Sequence, residues 1–262
     1  MKRSWISVAA VVLWYDASGP APARADEVPA GTWAGSASVV SDYLFRDISR
    51  TNRKPAMQAG VEFDHTSGWY LGGRGSNVSW LSDASTSAAP VSGSVELDLY
   101  GGCRGSFGGD WNYDVGVYRY QYPGSYPAGF TLPHTTEACA ALAWKSVALK
   151  YAYALTNLFG YADSEHSGYV DLSWNQAFAP GWLFNAHVGH QQVANAASAS
   201  YSDWKPGVAR TFDSGWPAAL GYYDTNANAS VYTHARGHCL GRHGGAEPDQ
   251  VVLKTSHRWS HS

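Results

Sequence analysis

Along most of this chain apolar and polar residues alternate one for one. Between Pro55 and Asp83, Met57, Ala59, Val61 and Phe63 interleave with Gln58, Gly60, Glu62 and Asp64, the period-two signature of a strand with two unlike faces. His65-Thr66-Ser67-Gly68 supplies turn residues, and Trp69 opens a second run in which Tyr70, Leu71, Val78 and Trp80 stand among glycines. The stretch predicts a β-hairpin. Its polar face carries Glu62, Asp64 and Arg74, charges that a packed core does not accept without partners, so that face is expected to meet water.

The pattern recurs. About twelve strand-like runs are expected, near 32–45, 55–65, 68–81, 93–107, 111–122, 135–145, 147–156, 167–178, 181–192, 201–212, 215–224 and 249–259, each close to the length of a tilted membrane-spanning strand. In the fourth, Val95, Leu97, Leu99 and Cys103 oppose Glu96, Asp98, Tyr100 and Arg104. In the seventh, Val147, Leu149, Tyr151, Tyr153 and Leu155 oppose Ala148, Lys150, Ala152 and Ala154, and in the eighth Val170, Leu172 and Trp174 oppose Asp171, Ser173 and Asn175. Glu137 and Lys145 share one parity of the sixth. No window holds a capped apolar pattern at helical spacing, and no internal repeat of fixed period stands out.

The connections sort by length. His65 to Gly68, Gly108 to Asp110, Lys145-Ser146, Ala179 to Gly181 and Asp213 to Gly215 are short, whereas the intervening connections are long and rich in Ser, Ala, Gly and Pro. Short turns at one end and long loops at the other mark an outer-membrane barrel, with the turns in the periplasm. A soluble β-sandwich, the plainer alternative, has no reason to sort them so.

Composition agrees with this reading. The 262 residues are 45% hydrophobic and only 15% charged, and tyrosine (17) and tryptophan (12) outnumber phenylalanine (8), a bias towards rings with a polar handle. Beyond the N-terminus no apolar run is long enough for a spanning helix. Lys2 and Arg3, the apolar run Trp5 to Tyr15 and the site Ala23-Arg24-Ala25 predict a secretory signal peptide over 1–25, leaving 26–262 as the barrel domain. Removal of that segment leaves fifteen basic and twenty acidic residues, a mildly acidic chain that suggests no nucleic-acid partner.

The runs VSDYLFRDISRTNRKPAMQAGVEFDHTSGWYLGGRGSNVSWL, VELDLYGG, YDVGV, YPG, TTE, SGYVDLSWN, NAHVGHQ, YSDWKPGV and DTNA, in that order, resemble the TorF family of proteobacterial porins. The resemblance covers most of the chain after residue 25 and is most specific up to Leu81. It implies an outer-membrane barrel with a channel role assigned by architecture, and it brings no catalytic residues. Three features depart from the family pattern. Arg119 shares parity with Val115 and Val117, which directs it towards lipid unless it lies near the loop end and snorkels. Pro206 and Pro217 each remove a ladder donor from an expected strand. Trp259 is followed by Ser260-His261-Ser262, whereas barrels of this kind close their sequence with an aromatic residue.

Other chemistry is weak. His234, His238, Cys239 and His243 have metal-ligand spacing, but Arg236, Arg242 and the surrounding glycines disfavour a closed site. Cys103 and Cys139 fall on opposite faces, so no bridge between them is expected. His187 and His190 also point apart, with no evident nucleophile beside either. Gly72-Gly73-Arg74-Gly75 lacks the context of a phosphate loop and instead permits close approach of neighbouring groups. Arg46, Arg50, Arg53 and Lys54 make a basic first loop, expected to be solvated and open to anionic lipopolysaccharide.

The expectation is therefore an all-β, single closed antiparallel up-and-down transmembrane barrel of about twelve strands in the bacterial outer membrane. It would act as a porin-like channel for passive passage of small hydrophilic solutes, with no cofactor, no metal and no catalytic residue assigned. The pore-lining candidates are Glu62, Asp64, Arg74, Glu96, Asp98, Arg104, Glu137, Lys145, Lys150 and Asp171. Alternatives are a non-conducting structural or adhesive barrel, in which those charges pair and fill the lumen, and a barrel enzyme.

Overall fold

The computed structural model describes residues 31–213 and 217–232, and the backbone alone over 254–261. The strands are β1 (Gly31–Val40), β2 (Leu44–Phe45), β3 (Ile48–Ser49), β4 (Ala56–His65) and β5 (Trp69–Asn77). A one-turn helix α1 (Trp80–Asp83) precedes β6 (Val95–Phe107), β7 (Trp111–Gln121), β8 (Thr135–Trp144), β9 (Val147–Ala154) and β10 (Gly168–Ala179). Next come β11 (Trp182–Gln192), β12 (Tyr201–Thr211), β13 (Pro217–Gly221), β14 (Asp224–Thr225) and β15 (Lys254–His261).

Each strand from β4 to β12 pairs antiparallel with its neighbour in sequence; β4 also pairs with β1, β1 with β15, β15 with β13, and β13 with β12. The pairing of β11 with β12 completes the circuit, whose shortest seam is that of β13 with β15, at Ala218–Thr255 and Ala219–Lys254. β13 and β14 keep one register along β12 and count as a single interrupted strand, which makes the thirteen-stranded sheet a ring of about twelve. Pro206 causes the interruption. It stands opposite Tyr222, whose N–H donates to the Pro206 carbonyl at 2.9 Å, but proline has no N–H to return the bond.

The two faces of the wall are unlike, and the sorting is inside out relative to a soluble barrel. Met57 is 72% and Val61 50% exposed on the outer surface, whereas Glu62 between Val61 and Phe63 is 2% exposed inside. Leu71, Leu99, Leu149, Leu172 and Val188 continue the aliphatic exterior round the ring. Near the short-turn end this gives way to aromatic residues: Trp33, Trp69, Phe107, Trp111, Trp144, Phe178 and Phe212. The Trp33 ring lies tilted 5.0 Å from Phe63 and Trp111 6.2 Å from Trp144, while Lys145 lies over Trp144 and Arg210 over Trp182. An aliphatic band edged by aromatic rings with basic residues beside them fits a hydrocarbon layer and its interface.

Inside, rings cross the wall where the neighbouring strand offers no side chain. A Cβ on Gly72 would stand 2.5 Å from the Tyr100 ring, which accounts for the glycine at that position. The expected third run stops at Asn77, short of Leu81, because the Ser79 and Trp80 N–H groups turn to the Arg50 carbonyl at 2.8 and 3.2 Å. Arg119 lies close to the loop end of β7 and donates to Thr136 Oγ1 at 2.8 Å.

The first long connection overturns the expectation of a solvated loop. Residues 42–51 fold into the barrel as the hairpin β2–β3, and Asp42, Asp47, Ser49, Arg50 and Thr51 are all buried. The hairpin closes on itself at Asp42, which accepts from Ser49 Oγ at 2.6 Å and Thr51 Oγ1 at 2.9 Å. Arg53 and Lys54 alone of the four basic residues stay on the surface. The expected signal segment and the His234, His238, Cys239 and His243 group lie outside the described residues.

Candidate functional site

The candidate site is the barrel interior, which the hairpin divides. Towards the turn end lies a cavity of about 400 Å³ whose lining includes Glu62, Arg74, Asp98, Lys150, Asp171 and His187. Towards the loop end lies one of about 190 Å³, lined by Arg50, Trp80, Phe159, Tyr201 and Tyr232 among others. Phe45 and Arg46, at the turn of the hairpin, line both. They stand between the two.

Arg46 is positioned by a left-handed turn, with φ of 51° at Arg46 and 55° at Asp47. Its guanidinium donates to Glu137 Oε2 at 2.7 Å and to Gln191 Oε1 at 2.5 Å, and it rests 4.3 Å above the Tyr169 ring. Burial works against the Arg46 charge and Glu137 more than offsets it, so the pKa is raised and the group stays cationic. Deeper in the hairpin, Arg50 lies over Phe45, Trp80 and Phe159 at 4.9, 5.0 and 4.5 Å.

The wall charges form local networks. Arg104 bridges Glu62 and Asp64. Arg74 binds Asp98 at 2.7 Å and reaches the Tyr43 hydroxyl at 2.9 Å; Tyr43 donates to Glu96 at 2.5 Å, and Tyr122 to the other oxygen of Glu96 at 2.6 Å. Lys150 lies over Tyr118 at 5.3 Å. Asp171 accepts from His187 Nδ1 at 2.7 Å. The structure thus brings Glu62, Asp64, Arg74, Glu96, Asp98, Arg104, Glu137, Lys150 and Asp171 to the interior.

Lys145 differs. It sits in the tight turn between β8 and β9 with φ of 51°, and its ammonium lies 3.6 Å from Asp110 in the adjacent turn. A turn residue breaks the alternation that fixed the faces of β8, so parity misplaces it.

Sequence reasoning missed several lumen residues. Asp203 and Lys205 follow Tyr201 at alternate positions of β12 and are buried with it, a signal weakened by the proline at 206. His187 was separated from His190 by parity, and the structure keeps them apart: His187 faces inward, while His190 meets Ser202 on the exposed side at 3.0 Å. Ser173 donates to Asp171 and not to His187, so this group is not a nucleophile and base pair. Cys103 and Cys139 are both free thiols.

A closed antiparallel barrel with an apolar exterior, an aromatic edge and a charged interior is the architecture of proteins of the bacterial outer membrane. The chain belongs to the bacterial family described as "Bacterial protein of unknown function (Gcw_chp)", which matches residues 25–247. That match carries neither the TorF name nor a function. No curated protein matches the chain.

Among solved structures, the KdgM porin superimposes with a TM-score of 0.47 at 4% identity, covering 88% of this chain and 98% of its own. The COG4313 outer membrane channel from Pseudomonas putida F1 gives 0.47 at 12% identity, covering 93% and 100%. OprD from Pseudomonas aeruginosa gives 0.39 at 11%, covering 90% and 68%. Likenesses this distant carry no argument about activity. The strand ring and its two faces carry the reading of the fold.

Proposed function

We propose that the protein is an outer-membrane channel for passive passage of small hydrophilic solutes. The observation that supports this most is the charged cavity of about 400 Å³ inside the barrel, ending at Phe45 and Arg46. Side chains fill the interior of a barrel of about eight strands, and a ring of about twelve is wider than that, so the space is of the kind a channel uses. The proposal includes the TorF-type porin role, a secretory signal over 1–25 and a barrel domain over 26–262. Arg53 and Lys54, exposed at the loop end, are the candidates for contact with lipopolysaccharide.

The wall favours cations. With the hairpin included, Asp42, Asp47, Glu62, Asp64, Glu96, Asp98, Asp114, Glu137, Asp171 and Asp203 face Arg46, Arg50, Arg74, Arg104, Lys150, Lys205 and His187 among the described residues, an excess of carboxylates. The KdgM porin has been solved with disordered oligogalacturonate, a polymer with a carboxylate on each sugar. The acidic wall of the present chain speaks against such a polyanion and for cations or neutral solutes.

One observation favours a second reading, a non-conducting barrel: the hairpin is tied across the lumen through Arg46 to Glu137 on β8 and Gln191 on β11, on the side of the ring away from β1. Reconstitution into liposomes separates the two. Swelling in small sugars and a cation-signed reversal potential in a salt gradient are expected of the channel; impermeable vesicles holding folded protein would establish the plug.

A further inference from the structure

The tip of the hairpin meets the wall at a cluster that passage of solutes does not require. Asp47 lies between β2 and β3, His187 on β11 and Asp203 on β12, and one ligand atom from each comes within 4.8 Å of the others. The side chains are 5%, 11% and 0% exposed. Two of the atoms, Asp47 Oδ2 and Asp203 Oδ2, are buried without a hydrogen-bond partner. Buried carboxylate oxygens without donors are costly, and a cation between them removes the cost.

The imidazole is already set for this role. His187 Nδ1 donates to Asp171 Oδ2 at 2.7 Å, which directs Nε2 towards Asp47 Oδ2 at 3.4 Å. A carboxylate behind an imidazole is the arrangement that orients histidine ligands in metal sites. Asp203 is held as well, since Tyr169 donates to its Oδ1 at 2.9 Å and leaves Oδ2 for the cluster. Gly189 makes that bond possible: a Cβ there would stand 2.1 Å from the Tyr169 hydroxyl.

We propose that Asp47, His187 and Asp203 form a divalent-metal site that fastens the inward hairpin to the barrel wall. Ligand atoms round a zinc ion stand about 3.3 Å apart, given bonds of roughly 2.0–2.1 Å, so Asp47 and His187 already have the spacing, and Asp203, with its ligand atom within 4.8 Å, moves in to complete the set. One imidazole and two carboxylates select zinc or a similar transition ion over magnesium. Charge agrees. Once the proton on Nε2 is displaced the imidazole is neutral, and Asp47, Asp171 and Asp203 then exceed the one nearby ammonium, Lys205, which interacts with Asp47 and Asp171. The ion replaces the proton on Nε2, which leaves to solvent.

The effect on current rests on the channel reading; the binding itself does not. The test uses the full chain without a histidine tag, folded in detergent, with His234→Ala, His238→Ala, Cys239→Ser and His243→Ala to remove the thiol and imidazoles grouped over 234–243. Titration calorimetry with zinc chloride is expected to show one ion per chain, proton release and much weaker binding of magnesium. Asp47→Asn and His187→Gln are each expected to weaken zinc binding at least tenfold, and Asp171→Asn between tenfold and a hundredfold. The heat-modifiable gel shift checks that each variant is folded. Absence of zinc binding, or equal affinity in the folded Asp47→Asn and His187→Gln variants, overturns the site. In bilayers, zinc is expected to reduce channel opening in the parent and not in Asp47→Asn; a barrel that never conducts refutes the channel reading and leaves the calorimetric result standing.

Discussion

Glu62 is a wall carboxylate whose charge is matched by one cation. It is buried against Arg104, which also serves Asp64. Removing the cation leaves a carboxylate inside the barrel uncompensated, so Arg104→Met is expected to destabilise the fold by about 3 kcal/mol. Urea unfolding followed by tryptophan fluorescence should show a lower midpoint with little change in slope.

Asp42 supplies a pH dependence at the same scale. Burial raises its carboxyl above the usual range, against opposing hydrogen bonds from Ser49 and Thr51 and the charge of Arg53. A carboxyl with a raised pKa holds its proton more tightly in the docked hairpin than in the released one. The hairpin is therefore most stable below the ordinary value of 3.8 and loses that stability as pH rises through the docked value. Hydrogen exchange over residues 42–51, normalised to the unfolded rate, should show protection falling with pH across that window, and Asp42→Asn should abolish the slope.

The inward parity of Glu62, Glu96, Asp98 and Asp171 was legible in the sequence because a strand alternates faces with period two. Their partners were not legible. Arg104 is forty-two residues from Glu62, and nothing local joins them.

At the scale of elements, the strands and the sorting of turns from loops could be read along the chain, since both are local patterns. The inward hairpin could not. Its contacts at Glu137 and Gln191 lie 91 and 145 residues away from Arg46, so a basic loop bound for the lumen looks the same as one bound for solvent. Arg46→Ala, which removes the tie while leaving β2 and β3, is expected to raise the mean open-channel current; an unchanged current would mean that the hairpin is not the constriction.

The β12–β13 seam gives a second test. Pro206→Val restores the missing donor opposite Tyr222 and is expected to add on the order of 1 kcal/mol. Slower amide exchange at residues 220–224 would report it.

For the whole molecule, ring closure and the exposed apolar band follow from one fact of the sequence: the polar face of nearly every strand is the face that carries the charges. Closure turns those faces inward together, and the aliphatic faces and tryptophans outward. The same closure leaves a lumen with an acidic excess, interrupted by a segment of its own chain. Single-channel recording in a planar bilayer tests this account most directly. Folded, heat-modifiable protein is predicted to give discrete current steps with a cation-signed reversal potential, and larger steps in Arg46→Ala. Silence from both proteins in verified folded form would contradict it.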